Sequence, residues 1–243
     1  MRPAPLVGAF LALGLCACHD ANPQKSEEML REIASMTRFS VDYTGVSSIN
    51  PAVITALRKV DRSEFVPVEQ RRFAFANQPL EIGHGQTISQ PFIVALMTHV
   101  LELDSTDTVL EIGTGSGYQA AILAELVDNV YTIEIVEPLA KEAESLLVRL
   151  GYGNIFVRVG DGWFGWPENA PFDKIMVTAV APKLPPELVS QLRIGGKMVL
   201  PVGDYDGYQE LVLVEKVSES ELNRTVILPV RFVPMTGEAA QYD

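Results

Sequence analysis

The spacing of apolar residues changes near position 108, and this change divides the chain into two parts. Before it, apolar residues recur at helical intervals, as at positions 53, 54, 57 and 60 behind Asn50-Pro51. After it, short apolar runs alternate with amphipathic segments. The first pattern predicts helices packed on a core, and the second predicts strands and helices in alternation, which is typical of a parallel α/β sheet.

In the first part we predict a helix capped by Ser26, a helix that begins at Pro51, and an apolar helix from Phe92 to Leu103. In the second part the predicted strands are Thr108–Ile112, Asn129–Ile133, Ile155–Val159, Lys174–Thr178, Met198–Pro201, Leu211–Val217 and Thr225–Val230. The predicted helices there are Tyr118–Leu126, Pro138–Leu150 and Pro185–Leu192, and Gly195-Gly196 predicts a turn. The fold class is therefore α/β, with a mostly parallel sheet, helices on both faces and a C-terminal antiparallel hairpin.

The first 18 residues differ from the rest. Arg2 precedes an uncharged apolar run, LVGAFLALGLCAC, which is too short to span a bilayer and has the length of a signal-peptide core. Leu15-Cys16-Ala17-Cys18 resembles a bacterial lipoprotein cleavage box, so Cys18 is the candidate for a lipid anchor in the periplasm or envelope. Residues 19 to 25 predict a polar linker, and residues 26 to 243 predict one compact domain. Ordinary secretion and a start at Met29, which would leave the protein cytoplasmic, are the alternatives.

Composition limits the classes of function. The chain has 243 residues, of which 47% are apolar, which is enough for one sizeable core. Its formal net charge of -12 repels phosphate and argues against a nucleic-acid partner. Both cysteines precede residue 19, and the three histidines are not clustered. We therefore predict neither a disulfide nor a metal site in a domain that begins after Cys18.

Candidate chemistry first appears where the strand predicted at 108–112 ends, in the turn Gly113-Thr114-Gly115-Ser116-Gly117. Glycines allow a ligand to approach the backbone closely. A dinucleotide motif would need glycine at position 118, which is Tyr118, and the Lys-Ser/Thr pair of a phosphate loop is also missing. The turn therefore suits a nucleoside ligand that lacks a pyrophosphate.

Acidic residues follow the next two predicted strands. Glu134 lies 17 residues after Gly117, where a carboxylate can bind both ribose hydroxyls, and Asp161 between two glycines can accept from adenine N6. Carboxyl ends of parallel strands meet at one edge of a sheet, so these features together predict an S-adenosylmethionine site. The structural alternatives are a solvated strand-end acid for Glu134 and a turn-forming role for Asp161.

Seven segments resemble the protein-L-isoaspartate O-methyltransferases, and they are GHGQTISQP, EIGTGSGYQAAILAEL, YTIE, GDGWFGW, APFDKIMVTA, QLRIGGKMVLPVG and VRFVPMTG. The resemblance covers about residues 50 to 237, and GHGQTISQP at 83–91 is its most specific part. It implies a Rossmann-like methyltransferase fold, with N-terminal helices and a substrate loop in residues 26–107 and a cofactor-binding core in residues 108–243. It also implies methyl transfer from S-adenosylmethionine, which leaves S-adenosylhomocysteine, to the α-carboxylate of L-isoaspartyl residues. That methylation initiates repair of damaged proteins through a succinimide.

The same resemblance implies residue roles. Ser89 would be the active-site hydroxyl that contacts the substrate carboxylate, and Thr87 and Ile88 would bind the substrate with it. The positions implied on the cofactor side are Gln90, Pro91, Phe92, Ile93, Val94, Gly113, Gly115, Glu134, Asp161, Gly162, Thr236 and Gln241. Because a carboxylate is ionised at neutral pH, the nucleophile needs no general base, and positioning can carry the catalysis. A loop or helix-cap role for Ser89 is the structural alternative.

Two other functions fit parts of the sequence. One is methylation of a small molecule on the same fold; the other is an envelope-anchored binding protein with a silent site, which the export signal favours and the acids of the cofactor site oppose. Methylation of nucleic-acid bases is disfavoured by charge, and residues 177 to 182 lack the Asn-Pro-Pro-aromatic element of amino methyltransferases. We expect a monomer that acts on isoaspartyl proteins and peptides. Export conflicts with a cofactor that is made in the cytoplasm.

Overall fold

The computed structural model describes residues 23 to 242, so the predicted signal peptide, including Cys18, and the first residues of the predicted linker lie outside the described residues. The first helix begins at Pro23, three residues before the predicted cap Ser26, and residues 23 to 25 are helical instead of linker. Proline suits a first helical turn because its φ is already fixed near the helical value. No helix in the described part is both long and apolar enough to span a bilayer.

The helices are α1 (Pro23–Phe39), α2 (Val41–Thr44), α3 (Pro51–Lys59), α4 (Pro91–Val100), α5 (Tyr118–Ala124), α6 (Glu137–Arg149) and α7 (Pro186–Gln191). The strands are β1 (Leu80–Gly83), β2 (Gln86–Ile88), β3 (Thr108–Ile112), β4 (Asn129–Glu134), β5 (Ile155–Val159), β6 (Phe172–Val177), β7 (Leu192–Gly203), β8 (Gln209–Lys216) and β9 (Leu222–Val230). Short 3-10 helices occupy Arg62–Phe65, Val68–Phe73, Gly162–Phe164, Pro167–Asn169 and Gly237–Gln241.

The central sheet has the strand order β5-β4-β3-β6-β7-β8-β9. The five strands from β5 to β7 are parallel, and β8 and β9 join them as antiparallel strands. The predicted mostly parallel sheet with a C-terminal antiparallel hairpin is confirmed. After β5 the chain returns to the other side of β3, so the crevice at the carboxyl end of β3 is the topological switch point where such sheets bind ligands.

Helices cover both faces of the sheet, but unequally. Alternate strand residues point to opposite faces, so Val109 packs in one apolar cluster and Leu110 in the other. The first cluster contains residues from α1, α3, α4, α5 and α6. The second contains residues from α7 and from two of the short 3-10 helices. One face therefore carries nearly all of the long helices.

The predicted turn at Gly195-Gly196 is wrong, because both glycines lie within β7. Phe172 pairs with Leu192, whereas Lys174 pairs with Lys197, so β7 contains three extra residues opposite this step of β6. Gly195 has φ 79°, which a bulged backbone can require. The glycines therefore bend a paired strand instead of ending it.

Candidate active site

The segment GHGQTISQP forms a hairpin and the start of a helix. The backbone at His84 and Gly85 has φ 53° and 71°, and this turn directs β2 back along β1. In β2 the side chains alternate, so Ile88 is buried while Thr87 is exposed. Ser89 and Gln90 then connect the hairpin to α4, which begins at Pro91. Ser89 is thus held between two ordered elements.

Partly buried hydrogen bonds fix this connection. Asn77 Oδ1 accepts a hydrogen bond from the Phe92 backbone N–H at 2.9 Å, and the Asn77 carbonyl accepts from Gln90 Nε2 at 3.0 Å. The Ser89 carbonyl accepts from Arg62 Nη2 at 2.8 Å. Sequence reasoning missed Asn77 and Arg62, because neither belongs to a recognisable motif and both act across the fold. Gln90, predicted on the cofactor side, uses its side-chain amide nitrogen to anchor the loop.

The glycine turn after β3 has the left-handed backbone that glycine permits. Gly113, Gly115 and Gly117 have φ 97°, 52° and 85°. Thr178, the residue directly after β6, donates its hydroxyl to the Gly113 carbonyl at 2.8 Å and would collide with any Cβ at position 113. Thr178 was not predicted as a site residue. Its position directly after the fourth parallel strand is the feature of the sequence that could have indicated it. The turn therefore presents bare backbone to the crevice.

Glu134 lies at the end of β4 with 6% of its surface exposed. Its Oε2 accepts from the Gly115 N–H at 2.8 Å, and its Oε1 accepts from the Val136 N–H at 2.9 Å. A carboxylate oxygen has two lone pairs, so each oxygen keeps one acceptor position for a further donor. The carboxylate is oriented by the backbone and can still receive two ligand hydroxyls, which fits the ribose of a nucleoside.

Asp161 follows β5 and serves the local fold as well. Its Oδ1 accepts from the Trp163 N–H at 2.9 Å and starts the 3-10 helix Gly162–Phe164, as the turn-forming alternative described. Its Oδ2 accepts from the Glu238 N–H at 2.7 Å and thereby holds the C-terminal tail beside the crevice. The lone pairs left on both oxygens can accept from a ligand amine.

Glu111, within β3, is a buried acid that is linked to the glycine turn by hydrogen bonds. Its Oε2 accepts from Thr132 Oγ1 at 2.5 Å, and the Thr132 hydroxyl lies 2.7 Å from Thr114 Oγ1 in the glycine turn. Its Oε1 has no hydrogen-bond partner among the described residues. The pKa of Glu111 is raised to about 8, mainly by burial. The hydrogen bond from Thr132 lowers this pKa, and the charge of the nearby Glu134 raises it. The carboxyl is therefore mostly protonated at neutral pH.

Three adjoining cavities meet at Thr87 and Thr178, which line all of them. The first, which we call the strand-end cavity, is lined by Gly113, Gly115, Glu134, Gly162 and Thr236. The second, the wide groove, is lined by Ser89, Gln90, Phe92, Ile93 and the segment that ends β9. The third, the connecting cleft, is lined by residues that include Ile88, Ser89, Val94, Gly113 and Gly115.

The structure therefore brings most of the predicted site residues together, in two groups. Gln90, Phe92 and Ile93, predicted on the cofactor side, line the wide groove with Ser89. Pro91 is the buried first residue of α4 and lines none of the three cavities. Gln241 is exposed and donates to Glu238 Oε2 at 2.6 Å, outside all three cavities. No group of three His, Cys, Asp or Glu residues within residues 23 to 242 is arranged to bind a metal ion.

Comparison with known proteins agrees with this geometry. The family model described as Protein-L-isoaspartate(D-aspartate) O-methyltransferase matches residues 43–240. A protein-L-isoaspartate O-methyltransferase 2 of Syntrophobacter fumaroxidans is 49% identical over 239 residues, covering 95% of this chain and 97% of the relative.

Two solved structures share the fold. A protein-L-isoaspartate O-methyltransferase superposes with a TM-score of 0.76 at 26% identity, covering 88% of this chain and 67% of that chain. A putative protein-L-isoaspartate O-methyltransferase of Plasmodium falciparum, in complex with S-adenosyl-L-homocysteine, gives a TM-score of 0.72 at 22% identity, covering 88% and 97%. The chain is a member of the protein-L-isoaspartate(D-aspartate) O-methyltransferase family.

Proposed function

We infer that this protein is an S-adenosylmethionine-dependent protein-L-isoaspartate O-methyltransferase, which methylates the α-carboxylate of L-isoaspartyl residues in damaged proteins and peptides. One observation carries the inference beyond family membership. The groove that contains Ser89 opens beside the cavity of Gly113 and Glu134, and both are lined by Thr87 and Thr178. A peptide in the groove and a nucleoside in the cavity would therefore meet at the connecting cleft.

The residues of the strand-end cavity fit S-adenosylmethionine, which supplies a sulfonium methyl group when bound. Gly113 and Gly115 leave the backbone accessible, and Glu134 offers the acceptor positions that ribose hydroxyls require. Thr236 and Gly162 line the same cavity, and Asp161 directly precedes Gly162 in the chain. These residues bind and orient, and none has to move a proton.

Ser89 serves the other reactant. A carboxylate needs hydrogen-bond donors that fix its direction, and Ser89, which is partly buried, lines both the groove and the cleft. Attack by an anion on a cationic methyl donor removes both charges, so water stabilises the separated reactants more than the transition state. A site that replaces water and aligns the two groups accelerates the transfer without an acid or a base.

The decisive experiment compares an isoaspartyl peptide with its aspartyl twin, using the full chain and radiolabelled S-adenosylmethionine. Methylation of the isoaspartyl peptide alone is the expected result. In Ser89→Ala, kcat/KM should fall by up to about 100-fold while affinity for S-adenosylhomocysteine stays constant, because only the carboxylate loses a contact. Ser105→Ala, in an exposed turn, is the matched control. Equal activity in Ser89→Ala would reduce Ser89 to a structural role, and methylation of both peptides would favour a less specific methyltransferase.

We propose that the chain is exported and lipidated at Cys18, on the strength of the apolar run and the cleavage box that precede the described residues. The start of α1 supports a chain longer than one that begins at Met29. Met29 is buried within α1, and Glu27 before it forms an ion pair with Arg58 at 2.5 Å. Cys18→Ser should move the protein from the membrane fraction to a soluble one. A wild-type protein found in the cytoplasm with Met29 as its first residue would contradict the proposal.

We also propose that the protein works as a monomer. Light scattering combined with size-exclusion chromatography should give a mass near that of one chain. A dimer whose dissociation on dilution abolishes methyl transfer would contradict this.

A further inference from the structure

Arg62 is a charged side chain with no exposed surface. It opens the 3-10 helix Arg62–Phe65 and reaches into the wall behind the substrate loop. Its Nε donates to the Ala74 carbonyl at 2.8 Å, and its Nη2 donates to the Ser89 carbonyl at 2.8 Å. The guanidinium carbon lies 4.9 Å from the ring centroid of Tyr118, the first residue of α5. Arg62 thus joins the Ser89 loop to the helix that follows the glycine turn.

Arg62 is not paired with a carboxylate in the part of the chain that the structure describes. Of the ion pairs formed among residues 23 to 242, none includes Arg62, and its Nη1 has no hydrogen-bond partner there. Burial lowers the pKa of Arg62 to about 10, so the guanidinium stays charged at neutral pH. Burial raises the pKa of Tyr118 to about 12, so the phenol stays neutral. The neighbouring Asp61 directs its carboxylate to the Ser63 N–H and hydroxyl.

A buried cation without an anion is costly, and packing alone would be served as well by an apolar side chain. Arg62 hydrogen-bonds the Ser89 carbonyl. The field of its positive charge would therefore act on an anion bound at the Ser89 hydroxyl. Inside a protein such a field is screened far less than in water.

We propose that Arg62 is the electrostatic positioning residue for the α-carboxylate of the substrate. Its hydrogen bond to the Ser89 carbonyl fixes the backbone of the loop, and its uncompensated charge attracts the carboxylate without contacting it. This role rests on the proposed function, because the anion that it attracts is the isoaspartyl α-carboxylate. It adds a selectivity that Ser89 alone lacks, since a hydroxyl can hydrogen-bond a neutral carboxamide as well as a carboxylate.

The test uses two peptides that differ only in this charge, an isoaspartyl peptide and its α-carboxamide counterpart. Their dissociation constants are measured in the presence of S-adenosylhomocysteine, and the ratio of amide to acid reports the discrimination. The wild-type ratio should be well above one, and Arg62→Met should lower it at least tenfold. Arg71→Met, an exposed arginine in the next 3-10 helix, should leave it unchanged.

A purely structural Arg62 would predict a different result. Loss of loop support alone weakens both peptides equally, so an unchanged ratio in folded Arg62→Met overturns the proposal. If Arg62→Met does not fold, Arg62→Lys decides the question, because lysine keeps the charge and loses the two-armed geometry. A ratio within about threefold of wild type at pH 6 is expected for Arg62→Lys, and a ratio near one overturns the proposal. A wild-type protein that fails to distinguish isoaspartyl from aspartyl peptides would instead contradict the proposed function.

Discussion

Replacing Glu111 by glutamine should change how the stability of the protein depends on pH. The folded-state pKa of Glu111 is about 8, whereas its usual value is 4.5. At pH values between 4.5 and about 8, Glu111 is protonated in the native state and ionised in the unfolded state. The free energy of unfolding therefore decreases as pH rises through this window, at up to about 1.4 kcal/mol per pH unit. Glutamine has the same shape and does not ionise, so the variant lacks this slope.

The structure gives the expected magnitude. From pH 5.5 to 7.5 the stability of the variant relative to wild type should rise by about 2–3 kcal/mol, and it should level off above pH 8. Any constant cost of placing an amide beside Thr132, which donates to Glu111 Oε2, shifts the two curves without changing this slope. The slope and not the offset is thus the quantity that tests burial of a protonated carboxyl.

The assay is urea unfolding at half-unit intervals from pH 5 to 9, with the difference between variant and wild type plotted against pH. Glu144→Gln, on the exposed side of α6, is the control and should give a flat difference over the same range. A flat difference for Glu111→Gln as well would show that Glu111 ionises normally. That result would refute the view that the acid beneath the glycine turn is neutral at pH 7.

Glu134→Gln should weaken binding of S-adenosylmethionine by about 1.5–3 kcal/mol in calorimetry, because charge-assisted hydrogen bonds are lost. The exposed Glu137→Gln should bind normally, and equal affinity in both variants would exclude the ribose role. Gly162→Ala should destabilise the fold by about 1–3 kcal/mol in chemical denaturation, since its Cβ would meet the Ile112 side chain. Gly153→Ala, where the space is open, should have little effect, and equal stability of the two alanine variants would contradict the packing argument.

The parts of the fold that could be predicted depend on local pattern. β3 and β5 have the predicted bounds, because an apolar run followed by glycine is readable from sequence alone. β7 was predicted as four residues and has twelve. Its first half contains Gly195-Gly196, which lie in a bulge between Leu192 and Lys197, and the pairing of those two residues with β6 keeps that stretch in the sheet. Long-range pairing overrode the usual meaning of two adjacent glycines.

The candidate site shows the same division. Gly113 and Glu134 could be predicted because both follow strand ends that are visible in the sequence. Thr178 and Arg62 could not, since Thr178 acts on a carbonyl 65 residues away and Arg62 on one 27 residues away. Neither residue belongs to a recognisable motif in its own segment. The role of each depends on the distant residues that the sheet and the hairpin bring next to it.

The charges around the reaction centre are arranged in a way that suits a reaction in which charge disappears. A guanidinium in direct contact with the carboxylate would bind the anion most tightly in the ground state, and it would lose that contact energy as the methyl group is transferred. Arg62 instead lies behind the Ser89 backbone, one hydrogen bond away from the loop that holds the substrate. From there it attracts the anion over a longer distance and loses less as the charge is neutralised. We therefore expect Arg62→Met to raise KM for isoaspartyl peptide much more than it lowers kcat, whereas Ser89→Ala should act mainly on kcat. Initial rates across a range of peptide concentrations separate the two effects, and an Arg62→Met enzyme with normal KM and reduced kcat would show that the charge acts on the transition state instead.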